Sequence, residues 1–244
     1  MPDEQPRPRL LALWSAPRCR STAFMRMMAE RGDFLVVHEP FSHVADFGSA
    51  EVAGRTVRTE AELIETLLAL SAERPVFFKD TTDFAYPGLL ADKDFLAATA
   101  HAVILRHPSE AIASHYALNP QLGLHEVGFA RLAEIYDAVV AVGGRPVVVD
   151  SDDLLRDASA TVREFCLRVG IPYSPEALSW RPGMLDGWKR TERWHRSTAD
   201  TSGFRSTGSE YSATVENTPL LAEYLDFHLP HYERLLAHRL PVGR

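Results

Sequence analysis

The stretch Leu10-Leu-Ala-Leu-Trp14-Ser-Ala-Pro17-Arg18-Cys19-Arg20-Ser21-Thr22-Ala-Phe-Met-Arg26 decides the fold. An apolar run with strand character enters a short basic turn. The apolar period then changes, and Phe24, Met25 and Met28 fall on one side of a helix. Ser21 or Thr22 stands where an N-cap is expected. A strand–turn–helix unit of this kind aims unsatisfied backbone N–H groups and the positive end of the helix at one spot, which suits a phosphate. Arg18, Arg20 and the hydroxyls of Ser21 and Thr22 add further donors. The turn has no glycine and no lysine, so it is not the G-x-x-x-x-G-K-[ST] loop of nucleoside triphosphatases.

The same pattern returns in His101-Ala-Val-Ile-Leu-Arg106-His107-Pro108-Ser109-Glu110-Ala-Ile-Ala-Ser114-His115-Tyr116. Arg106 ends a strand, and Ser114 lies eight positions on (114 − 106), about two turns into the next helix. Both can face one anion held against that helix; the plainer alternative pairs Arg106 with Glu110 and leaves Ser114 as a small spacer. His107 and His115 flank this element and read as structural.

Strand-like runs occur at Leu10–Ser15, Phe34–His38, Val76–Lys79, Ala102–Leu105 and Val147–Val149. Helical patterns lie between and after them, at Ser21–Glu30, Thr59–Ser71, Asp92–Thr99, Ser109–Leu118, Val127–Val142 and Asp153–Val169. Within the last of these, Val162, Phe165, Cys166 and Val169 form one apolar face, Gly170 ends it and Pro172 prevents its resumption. Alternating strands and helices predict an α/β domain with a central parallel sheet of about five strands flanked by helices, and ligands at the carboxyl ends of the strands. Arg18, Glu39, Lys79 and Arg106 all sit at or just after such ends.

The chain of 244 residues, 45% hydrophobic and 24% charged, fits one domain over residues 1–244. Residues 1–8 read as a disordered polar lead-in. No run approaches the ~20 apolar residues of a membrane span. Cys19 and Cys166 are too few for a disulfide framework and lack metal-ligand spacing, which points to a reducing cytoplasm. A net charge of −7 argues against nucleic acid. Residues 179–218 are rich in Trp, Arg, Ser and Gly and read as a functional covering loop of a C-terminal loop/helix extension. Within it, Trp188 or the pair Phe204-Arg205 is placed to stack on a base and bind phosphate. Pro219–His228 and Pro230–Leu240 read as two helical pieces broken at Pro230.

The two basic turns resemble the phosphate-binding elements of sulfotransferases that use 3′-phosphoadenosine 5′-phosphosulfate (PAPS). The common form of the first is P-K-S-G-T-T. Pro17 matches its proline, Arg18 its lysine, Cys19 its serine, Arg20 its glycine, and Ser21 and Thr22 its threonines. Arg106 and Ser114 match the 3′-phosphate arginine and serine, and 146–172 resembles a further block of the family, so the likeness spans roughly residues 9 to 175. It implies a P-loop-like fold, PAPS as co-substrate with release of PAP, no metal, a small-molecule acceptor, and a monomer or homodimer. Cofactor residues would be Arg18, Cys19, Arg20, Ser21, Thr22, Arg106, Ser114 and Arg205. Lys79 matches the lysine of the family's K-T-H segment, whose histidine would fall at Thr81 and is absent. Glutamates do that work in heparan- and trehalose-type members, so Glu39 in Val37-His38-Glu39-Pro40-Phe41 is the first candidate base, His38 the second and Asp80 the third. Phe41, Phe84 and Tyr86 favour a partly apolar acceptor. Sulfation as activation for elimination or cyclisation, a small-molecule kinase, and a non-catalytic PAPS- or PAP-binding relative stay open as alternatives.

Overall fold

A computed structural model describes residues 7–205 and 210–242. The chain runs β1 (Leu10–Ser15), α1 (Ser21–Glu30), β2 (Leu35–His38), α2 (Pro40–Phe47), β3 (Ala50–Val52), β4 (Arg55–Val57), α3 (Glu60–Glu73) and β5 (Val76–Thr81). It continues through α4 (Pro87–Ala91), α5 (Lys93–Ala98), β6 (Ala100–Leu105), α6 (Pro108–Leu118), α7 (Phe129–Ala141) and β7 (Val147–Asp150). Then come α8 (Ser151–Arg156), α9 (Ala158–Val169), α10 (Arg196–Ala199) and α11 (Pro219–Leu236). The central sheet is five-stranded, ordered β2-β5-β1-β6-β7, and every pairing in it is parallel. This is the α/β architecture that the alternation of strands and helices implies.

The period-two alternation of β1 explains why helices cover both faces. Ala12 and Trp14 enter one core with Phe41, Phe78 and Phe95, whereas Leu11 and Leu13 enter the other with Phe24, Phe77 and Phe165. Trp14 is fully buried and donates from Nε1 to His101 Nδ1 at 3.0 Å, so its one polar atom is satisfied inside the sheet. Burial drives the His101 imidazole down to about 4, which leaves it neutral and able to accept that bond.

Several boundaries differ from the sequence reading. Ser21 and Thr22 are not the N-cap: Arg20 holds that position at φ 65, and Ser21 turns inward to share a 2.8 Å hydrogen bond with Ser15 Oγ. Asp157 splits the helix expected over Asp153–Val169 into α8 and α9, because its carboxylate caps the second piece at Ala160 N. Pro230, by contrast, does not break α11. His228, Tyr232 and Leu235 carry one buried face across it, and that packing outweighs the single backbone bond a proline removes. Helix α2 and the β3–β4 hairpin were not read from the sequence. Arg7 of the supposed lead-in is tied to Asp33 at 2.8 Å; residues 1–6 of it lie outside the described residues. Among the described residues no helix is long and apolar enough to cross a membrane.

Candidate active site

The carboxyl ends of β1, β2, β5 and β6 open into one cleft of about 780 Å³. Its basic end is built by the two strand-to-helix turns. After β1 the chain passes through Arg18 at φ 69 and Arg20 at φ 65, two left-handed positions that fold the turn tightly against the start of α1. Arg20 occupies the place of the glycine in the resembled motif, and its positive φ is the conformation a glycine supplies without strain. Gly128 closes the turn from behind: at φ +90, a Cβ there would stand 3.0 Å from Pro17 Cδ and 2.9 Å from Thr82 Oγ1.

Arg18, Arg20, Ser21, Thr22, Arg106 and Ser114 all line this end. Arg18 Nε donates to Ser114 Oγ at 3.1 Å and Arg106 Nη1 donates to the Arg18 carbonyl at 3.2 Å, so the two turns are physically joined. Arg106 also pairs with Glu110 at 2.8 Å, as the plainer sequence alternative had it, and Arg20 reaches Glu110 and Asp152. Those two carboxylates are about half exposed (49% and 52%), so they hold the guanidiniums in place weakly and can yield to an incoming anion. Cys19 departs from the expected set. Its side chain is fully buried away from the cleft, and burial pushes its thiol up to about 12, so it can contribute only its backbone.

Deeper in the cleft Glu39 stands at φ 45, directly ahead of α2, and Lys79, in the second half of β5, donates to its Oε1. Glu39 is 8% exposed and Lys79 1%. Burial pushes the Glu39 carboxyl up, but Lys79 and then His38 and His195 pull it down further, and it lies well below the usual carboxylate range. It is an anion at any ordinary pH. His38 Nε2 lies 3.2 Å from Glu39 Oε2 but is packed behind it, outside the cleft lining, with its pKa well lowered by burial. Asp80 is turned away altogether. It accepts from Phe41 N at 2.6 Å and from Ser42 Oγ at 2.5 Å, which ties α2 to β5, and it does not line the cleft.

The late segment supplies a residue that the sequence reading missed. His195 follows a 3-10 stretch, Asp186–Trp194, and lines the cleft. Its Nδ1 is 3.3 Å from Thr22 Oγ1 and its Nε2 3.1 Å from His38 Nε2. Arg18 Nη1 donates to the Trp194 carbonyl at 2.8 Å, so the segment closes directly on the first basic turn. No local spacing marks His195; only its place in a Trp/Arg-rich stretch hinted at it. Trp188 is fully buried against the His38 and His195 rings and cannot stack on a base, whereas Trp194, Phe204 and Arg205 line the cleft. Residues 206–209 of the covering loop lie outside the described residues. Phe41 and Tyr86 are core residues, whereas Phe84, with Phe47, lines the cleft.

A family model described as a sulfotransferase domain matches residues 9–235. Two curated Arabidopsis thaliana proteins, branched-chain-amino-acid aminotransferase-like proteins 1 and 2, are 28% and 27% identical over 96% and 93% of this chain. The chain spans less than half the length of these relatives (44% and 43%). Among solved structures, the sulfotransferase domain of a Synechococcus olefin synthase is similar at 14% identity and a TM-score of 0.42, with 95% of each chain covered.

Proposed function

This chain belongs to the sulfotransferase domain family, and from that premise we propose that it moves a sulfuryl group from PAPS to a hydroxyl or amine of a small-molecule acceptor, releasing PAP. The observation that carries the reading is the junction of the two basic turns, Arg18 Nε to Ser114 Oγ at 3.1 Å, which gathers two anion-binding elements at one end of one cleft. A donor with phosphates at both the 5′ and 3′ positions needs two such elements.

Arg18, Ser21, Thr22 and the first N–H groups of α1 hold the 5′-phosphosulfate, and Arg106 with Ser114 holds the 3′-phosphate. In the transfer the acceptor oxygen or nitrogen bonds to sulfur as the bond from sulfur to the bridging oxygen breaks. Lys79 and Arg18 stabilise the charge that grows on that oxygen, and Glu39 takes the acceptor's proton. The chemistry asks mainly for positioning and charge, as phosphoryl transfer does. Phe84 and Phe47 offer apolar walls to a small acceptor.

Thermal melting tests the donor. PAP without Mg²⁺ raises the melting temperature; a ligand at 100 times its dissociation constant contributes about 2.7 kcal/mol to the folded state. In a domain of this size that is roughly 5–10 °C. Stabilisation by Mg-ATP with none by PAP would sink the proposal in favour of a kinase. A calorimetric titration then divides the two phosphate sites. Arg106→Ala weakens PAP binding by about 1.5–3 kcal/mol, the worth of a hydrogen bond to a charged group. Adenosine 5′-phosphosulfate, lacking the 3′-phosphate, is nearly indifferent to that change. Equal losses for the two ligands would take the 3′ role from Arg106.

A further inference from the structure

We propose that His38, Glu39 and His195 form a binding site for a divalent transition-metal ion, Zn²⁺ foremost. The three residues are 9%, 8% and 2% exposed, and one ligand atom of each lies within 4.8 Å of the others. His38 Nε2 is 3.1 Å from His195 Nε2 and 3.2 Å from Glu39 Oε2. Bonds of about 2.0–2.1 Å to a tetrahedral ion set neighbouring donor atoms roughly 3.3–3.4 Å apart; these two separations are close to that, and the third, between His195 and Glu39, is within 4.8 Å. Two imidazoles and one carboxylate suit borderline ions such as Zn²⁺ and Cu²⁺ better than Mg²⁺ or Ca²⁺.

The surroundings fit ligation. His195 Nδ1 faces Thr22 Oγ1 at 3.3 Å, and a ring that donates its far N–H to that hydroxyl turns the lone pair of Nε2 to the ion, which there displaces the Thr191 hydroxyl now 3.0 Å from Nε2. Lys79 takes Oε1 of Glu39 and leaves Oε2 on the side of the two imidazoles. Its charge also opposes the cation, so binding is weaker than in a structural zinc site. Glu39 and His195 both line the cleft, which leaves the fourth position open to water or to a substrate oxygen. An ion here would staple the late segment to the end of β2. On the reading given under Proposed function, it would also occupy the oxygen that receives the acceptor's proton, so the filled site inhibits transfer.

Titration of the full chain with Zn²⁺ by calorimetry, and with Co²⁺ by visible absorption, tests the site. The expected result is one ion per chain with the d–d bands of four-coordinate Co²⁺, and a loss of at least tenfold in affinity in both His195→Asn and His38→Asn. His231→Asn, on α11, retains binding. Each variant is first shown to melt cooperatively, and the wild-type Co²⁺ spectrum reads the ligand set without any substitution. Absence of a saturable site, a site that survives His195→Asn, or one lost in His231→Asn overturns the proposal. Zn²⁺ binding in a protein that PAP does not stabilise would keep the metal site and remove only the inhibitory consequence, so the two readings fail separately.

Discussion

Glu39→Gln lowers kcat for sulfuryl transfer by about 10²–10⁴, the usual contribution of a positioned base. The glutamine keeps the shape of the side chain and most of its hydrogen bonding but has no basic oxygen. PAP affinity changes little if Glu39 serves the acceptor, as proposed, because the phosphate contacts are assigned to the two basic turns. His38→Asn costs less, since His38 lies behind Glu39 and does not line the cleft. The measurement is single-turnover release of PAP from PAPS with an accepted substrate, alongside the PAP-induced thermal shift of each variant. Near wild-type turnover in Glu39→Gln would take the base role from Glu39; loss of PAP binding would mean that the carboxylate serves the cofactor.

Lys79→Ala has the largest expected effect on stability. Lys79 and Glu39 are a buried pair, and removing one partner strands the other charge away from water, a loss of about 3–5 kcal/mol. Its dependence on pH is fixed by sign. The folded-state pKa of Glu39 is depressed, so its contribution to wild-type stability is present above the unfolded carboxylate pKa and is lost only as pH falls through the lower folded value. Without Lys79 the largest charge opposing burial is gone and the carboxyl rises from its depressed value, so acidification that protonates Glu39 recovers part of the variant's deficit. Urea melts of both proteins between neutral and mildly acidic pH read the difference. A deficit that does not shrink toward acid would mean that Lys79 supports the sheet by packing alone.

The alternation of apolar strands with amphipathic helices already determined the sheet, because burying both faces of a parallel sheet forces that pattern on the residues themselves. The basic turn at Arg18–Thr22, Arg106 with Ser114, and the strand-end placement of Glu39 and Lys79 were legible for the same local reason: a strand entering a helix announces where its N–H groups point. Local signals fail where packing across the chain decides. Pro230 reads as a break but is carried by a buried helix face, and Asp80 reads as a strand-end acid but is spent on α2. Cys19 stands inside the first basic turn yet points into the core.

His195 is the clearest case. It is 157 positions from His38 in sequence and 3.1 Å from it in the fold, and no spacing rule links residues that meet only when a late segment folds over the cleft. The sequence determined the five strands of the central sheet and which of their ends bring charge. Tertiary structure alone decided which charges pair, which face the cleft and which are buried behind it, because those outcomes depend on desolvation and on neighbours that the chain supplies from far away.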